Sequence, residues 1–195
     1  MAKKIDMRSV NKSLSVNKAF KTGMRQKVIK SFESSKRRLL QEFKAHPVTT
    51  EINAGPTSKN TSGTLGGYGN LFTFIGFPFG TKPTDVVERM IRDNITLGEV
   101  KKTQATRGRI SVNVKVDVPS KEAFAVATPL PFGGGRSWLY GIETGISGFG
   151  NYMFKKWKTS RSGRGIETKK KIRGGSFKNT SYFSSMLLAF TKRIR

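Results

Sequence analysis

Residues 66–80 read Gly66-Gly67-Tyr68-Gly69-Asn70-Leu71-Phe72-Thr73-Phe74-Ile75-Gly76-Phe77-Pro78-Phe79-Gly80. Five aromatic rings, four of them Phe, stand among five glycines. Each ring withdraws a large apolar area from water. The glycines admit turns and close backbone approach that other residues forbid. Too few polar residues interrupt the run for one face to be wetted while the other is buried. The pattern predicts a loop over 62–70 that feeds a strand, Leu71 to Phe77, buried on both faces. Leu71, Phe72, Phe74, Ile75 and Phe77 are therefore core or interface residues. A monomer rarely exposes such a patch, so two settings stay open: the rest of this chain, or a neighbouring copy.

A chain of 195 residues can enclose one domain with a real core. Hydrophobic residues make up 35%, below the roughly 45–50% of an average globular chain. Either part of the chain is loop and arm, or partners complete the core. Charge points the same way. The net charge is +25, and it sits at the two ends. Residues 1–46 carry 13 Lys/Arg against 3 Asp/Glu, residues 47–150 carry 11 against 8, and residues 151–195 carry 13 against 1. A nearly neutral body between two cationic ends implies a polyanion or an acidic protein surface as partner. The charge lies far above the magnitude of ~2–8 that suits a small domain for solubility.

The first 16 residues are polar, basic and aperiodic, which predicts an arm. From Asn17, Phe20, Met24, Val28, Phe32, Leu39, Leu40 and Phe43 mark one face of an amphipathic helix, with the cations largely off that face. Pro47 restricts His46 and ends it. Val48 to Ala54 reads as a short strand. Pro83 and Asp85 open an inserted helix that closes at Asp93-Asn94. Ile95 to Gln104 and Arg109 to Val118 read as two strands. In the second, Ile110, Val112, Val114, Val116 and Val118 alternate with polar residues, and the short link makes the pair an antiparallel hairpin. Phe124 to Thr128 and Ser137 to Thr144 read as further strands. Residues 145–178 form a long, Gly- and Lys/Arg-rich excursion, a length that usually signals function or disorder. A last helix starts near Asn179 or Thr180, with Tyr182, Phe183, Met186, Leu187, Phe190 and Ile194 on one face. The expected fold class is thus α+β. A small antiparallel sheet of about four to five strands carries a long N-terminal helix, an inserted helix and a C-terminal helix, plus the basic loop. The domain plan is an arm, 1–16, and a single domain, 17–195.

The residue inventory argues against an enzyme. There is one histidine, His46, and no cysteine, so the common nucleophile triads and His/Cys metal sites are not available. The Gly-x4-Gly-Lys-Ser/Thr phosphate loop is absent. No catalytic group, cofactor site or metal site is expected. No run approaches the ~18 apolar residues of a membrane span, and the first residues lack an apolar leader, so a soluble product without membrane contact is expected. In the excursion, Tyr152, Phe154 and Trp157 interleave with Lys155, Lys156, Lys158, Arg161 and Arg164, with Lys169, Lys170 and Lys171 following. Rings among cations suit single-stranded nucleic acid; insertion into a neighbouring subunit suits the same residues. Any DNA contact would be salt-dependent and indifferent to sequence.

Two short segments carry a family likeness. Tyr140-Gly141-Ile142-Glu143-Thr144-Gly145 resembles the aromatic-x-apolar-Glu-x-Gly strand end of tail-completion proteins of tailed bacteriophages, the head–tail joining or neck group that includes tail terminators. Arg173-Gly174-Gly175-Ser176-Phe177 stands where that family has an Arg-Pro-Phe approach to its last helix; the proline is missing here. Leu65 to Phe77 is similar to sequence from structural proteins of such phages. The resemblance implies a non-enzymatic virion subunit, assembled in the host cytoplasm as a ring, with six copies as the expected number. The ring would cap the tail tube and join it to the head connector, with non-specific DNA contact in reach. On this reading Tyr152, Phe154 and Trp157 anchor the loop on a neighbour, and its cations face acidic protein or DNA. The alternative is a free basic nucleic-acid-binding protein of ribosome- or nucleoid-associated type.

Overall fold

The computed structural model describes residues 18–65, 70–106, 109–131, 135–144, 152–154, 165–167 and 179–194. The expected arm, 1–16, lies outside them.

The chain builds a helical body with a projecting β-hairpin. Helix α1, Lys18–Ala45, is 28 residues long, about 42 Å at the usual rise per residue. Its C-terminal half packs through Phe32, Ser35, Leu39 and Phe43, all buried. These recur every three or four residues, the period of one helix face. Two short helices follow, α2 over Pro47–Asn53 and α3 over Leu71–Ile75. Helix α4, Asp85–Arg89, runs on into a π-helical turn, Met90–Asn94. Strands β1, Thr96–Thr106, and β2, Arg109–Asp117, pair antiparallel. Helices α5, Lys121–Ala127, and α6, Trp138–Thr144, come next. Strands β3, Tyr152–Phe154, and β4, Gly165–Glu167, form a second antiparallel pair. Helix α7, Phe183–Arg193, closes the chain against α1.

The expected sheet of four to five strands is not what forms. Among the described residues there are two separate two-stranded ladders and seven α-helices. Four segments read as strands are helices, and each is preceded by a residue that caps it. The His46 Nδ1 accepts from the Val48 N–H at 3.2 Å, ahead of Pro47 at the first helical position of α2. The Asn70 side chain accepts from the Thr73 N–H at 3.0 Å and opens α3. Ser120 Oγ accepts from the Ala123 N–H at 3.2 Å and opens α5. Ser137 Oγ accepts from the Tyr140 N–H at 3.3 Å in the first turn of α6. A side-chain acceptor at this place satisfies a backbone donor that the helix leaves open.

Residues 71–77 show the competition most clearly. Gly76 adopts φ 82°, ψ 32° at the end of α3. The Phe77 N–H bonds back to the Phe72 carbonyl at 3.1 Å and the Gly76 N–H to the Thr73 carbonyl at 3.1 Å. These are the two bonds of a Schellman stop, and the Phe72 and Phe77 rings, 5.6 Å apart, supply its apolar contact. The loop before α3 is tied at both ends by the buried Glu51. Its carboxylate accepts from the Ser62 N–H at 2.8 Å and the Leu71 N–H at 2.7 Å.

The expected inserted helix, hairpin and C-terminal helix are present. Along β2, Val114 and Val116 are half-buried while Asn113, Lys115 and Asp117 are exposed. Strand β1 twice sets three residues against two of β2, between Leu97 and Val100 and between Lys101 and Gln104, which bends it as β-bulges do. Gly98 sits in the first bulge, where a Cβ would lie 3.2 Å from the Lys115 carbonyl oxygen. The core is a chain of rings. Phe43 contacts Tyr182 and Phe183, Phe183 meets Phe124 edge-on at 4.6 Å, and Phe77 meets Trp138 at 5.5 Å.

Candidate interaction surface

The sequence-predicted site residues fall into two groups. Leu71, Phe72, Ile75 and Phe77 are buried and Phe74 is half-buried against the same core. The 71–77 run is thus covered by its own chain. Phe79, just beyond it, is 74% exposed. Tyr152 and Phe154 lie in β3, beside α3. Trp157, Lys155, Lys156, Lys158, Arg161, Arg164, Lys169, Lys170 and Lys171 lie outside the described residues.

A residue that sequence reasoning placed at a strand end organises the base of the excursion instead. Glu143, in the last turn of α6, accepts from the Tyr182 N–H at 3.2 Å and the Ser184 N–H at 2.7 Å, and from the Ser184 hydroxyl. These are open donors at the start of α7, where a negative charge also suits the helix dipole. Next to it, the Thr180 N–H donates to the Ile142 carbonyl at 3.1 Å. The chain therefore leaves after Thr144 and returns at Asn179 through one pinned base. One signal was available: Glu143 is the only carboxylate between Glu122 and Glu167.

A buried polar layer lies behind this base. The Thr49 and Tyr182 hydroxyls share a hydrogen bond, and the His46 ring lies 4.8 Å from the Tyr182 ring. Burial holds the His46 imidazole below its ordinary pKa, opposed by a backbone hydrogen bond at Ser181. Burial also raises the Tyr182 phenol strongly and pushes Tyr140 up to about 12. His46, with Nδ1 accepting from the Val48 N–H, caps α2, and the Tyr182 ring packs beside it. Among the described residues no three His, Cys, Asp or Glu groups stand close enough to hold a metal ion, and no helix is long and apolar enough to cross a membrane.

The charged surface divides along α1. In its C-terminal half all the cations but the exposed Arg37 have partners. Arg38 pairs with Glu42 at 3.0 Å and Lys44 with Glu88 at 2.8 Å. Arg193 of α7 grips Glu42 with both terminal nitrogens, at 2.6 and 2.9 Å. That fork holds the Glu42 carboxyl below its ordinary range, first through the Arg193 hydrogen bond. In the other half Lys21, Arg25, Lys27 and Lys30 are exposed, and none has a carboxylate within ion-pair distance among the described residues. A cleft of about 350 Å³ between this half and the start of β1 is lined by Arg25, Ile29, Phe32, Lys36 and Leu97. No family model, no curated protein and no solved structure matches this chain.

Proposed function

We propose that the chain is a structural subunit of a phage virion neck, closing with its own copies into a ring that caps the tail tube and meets the head connector. One observation carries the reading. Glu143, the acid of the Tyr140–Gly145 segment that resembles tail-completion proteins, clamps the start of α7 and so closes the base of the 145–178 excursion. Three large apolar side chains held out to water, Phe79, Val126 and Leu188, offer contact to neighbouring copies. A head-to-tail contact of this kind closes into a ring when its rotation permits. The reading stands on the sequence likeness of Tyr140–Gly145 and on the excursion; the strand end that this likeness implied is helical over Tyr140–Thr144, and nothing is taken from the sheet.

Sedimentation of the purified full chain, with electron microscopy of its mixture with tail tubes, tests it. The wild type is expected to sediment as a closed oligomer and to decorate tube ends, and Trp157→Ala to weaken both. Compact solitary particles at every concentration, with bare tube ends, overturn the reading.

A further inference from the structure

We propose that the amino-terminal half of α1, through Lys21, Arg25, Lys27 and Lys30, binds the phosphate backbone of a nucleic-acid duplex. The inference stands on α1 alone and holds whether the chain works singly or in a ring.

The first support is the way charge is spent along one helix. Where α1 packs on the body, three of its four cations are matched, Arg38 to Glu42, Lys44 to Glu88, and Lys36 with its ammonium 5.9 Å from the Phe32 ring centre, and Arg37 is exposed. In the amino-terminal half four cations fall within ten residues and no acid occurs between Asp6 and Glu33. Four like charges this close repel across less than a Debye length. An isolated helix gains nothing from the arrangement, and like pairs such as Lys21–Arg25 at i,i+4 disfavour it. A bound polyanion reverses the sign of that term.

Geometry then selects among polyanions. At 3.6 residues per turn, Lys21 and Arg25 project from one side of α1, and Lys27 and Lys30 from the opposite side. A flat acidic protein surface neutralises one side of a helix and leaves the other bare. A membrane surface needs a continuous apolar face between flanking cations. Here the apolar positions are Phe20, Met24 and Val28, each half-buried by the chain itself, and the partly exposed Ile29; there is no Trp, and Lys21 stands on the same line of the helix as Val28. A duplex major groove, about 12 Å wide, admits one α-helix and presents a phosphate strand on each side of it. Cations on opposed flanks match that pair of walls. Cations on the two flanks supply phosphate contacts, which position a protein on a duplex and carry no sequence information, so the binding proposed is to the backbone.

The test uses the full chain and a fluorescent duplex DNA of arbitrary sequence, with anisotropy read over a salt series. One variant carries Lys21→Gln, Arg25→Gln, Lys27→Gln and Lys30→Gln. A control removes the same charge elsewhere with Lys59→Gln, Lys82→Gln, Arg89→Gln and Arg92→Gln, all exposed. Each phosphate contact contributes about 0.9 to the slope of log K against log salt. The α1 variant is expected to flatten that slope by about 2–4 and to bind at least about 100-fold more weakly at ~0.1 M salt, while the control stays near wild type. The α1 positions are exposed, so the far-ultraviolet circular dichroism of both variants should match wild type. Equal losses in the two variants overturn the proposal, as does an α1 variant that binds like wild type. It is also overturned if polyglutamate of matched charge, or vesicles containing phosphatidylserine, compete as well as unlabelled duplex.

Discussion

Removing the Glu143 carboxylate strips two backbone N–H groups and one hydroxyl at the start of α7 of their acceptor. Charged acceptors at such positions contribute about 1–2 kcal/mol. Glu143→Ala is expected to lower the unfolding free energy by that amount, read as a lower urea midpoint at unchanged slope, and Glu143→Gln, which keeps one acceptor oxygen, by less. An unchanged midpoint would mean that water replaces the carboxylate at no cost. His46 makes a second prediction, with a defined sign. Its folded pKa lies below the unfolded value, chiefly through burial. The unfolded chain therefore takes up the proton first as pH falls. The His46 contribution is complete above the unfolded pKa of about 6.5 and is lost as pH drops below it toward the folded value. His46→Asn keeps a side-chain cap for α2 and has nothing to titrate, so it should flatten the fall in stability on acidification below neutrality. A wild-type and variant pair that lose stability in parallel there would assign the effect to other groups.

At the level of elements, legibility followed periodicity and failed where apolar runs were short. Helices α1 and α7 repeat their buried residues over many turns, and β2 alternates Val with polar residues, so each could be read directly. Residues 71–77 and 138–142 are apolar all round, and a short buried helix and a short buried strand share that pattern. The deciding information sat one residue upstream or downstream: Asn70 before α3, Gly76 after it, Ser120 before α5, Ser137 before α6, and His46-Pro47 before α2. Sequence reading gave Asn70 to a loop, Gly76 and Ser137 to strands and His46-Pro47 to the end of the preceding helix, when a capping side chain followed by a run of five to seven residues marks a helix. Gly76 was legible as a glycine that allows a turn, but its role as a left-handed helix stop required knowing that a helix preceded it. The glycine–aromatic stretch was legible as burial, and its partner was not: only the packing of α3 against α2 and of Phe77 against Trp138 makes that partner its own chain. Glu51 and Glu143 each bridge segments far apart in sequence, and no local pattern encodes such a partner.

Across the whole molecule, 37 cations face 12 acids, and the acids are shared out unevenly. Glu42 serves both Arg38 and Arg193, and Glu88 serves Lys44 and Arg92. These clusters hold α1 to α7 and to α4, and the cations still exceed the acids by 25 over the whole chain. Two opposite salt responses follow. Screening weakens the ion pairs, and it relieves repulsion among the surplus cations. Exposed pairs contribute at most about 1 kcal/mol each, whereas repulsion sums over every surplus charge within a Debye length, which shrinks from about 30 Å at 0.01 M salt to about 8 Å at 0.15 M. Repulsion should dominate, so the thermal midpoint is expected to rise over that range and then level off. The Lys21, Arg25, Lys27 and Lys30 to Gln variant should start higher at low salt and rise less, because part of the repulsion is already gone. Duplex DNA at constant salt should raise the wild-type midpoint further by binding only the folded chain, and should raise that of the variant less. Differential scanning fluorimetry over the salt series reads all three. A wild-type midpoint that falls with salt would place the balance with the Glu42 and Glu88 clusters, and the cationic surplus would then carry no stored repulsion for a polyanion to release.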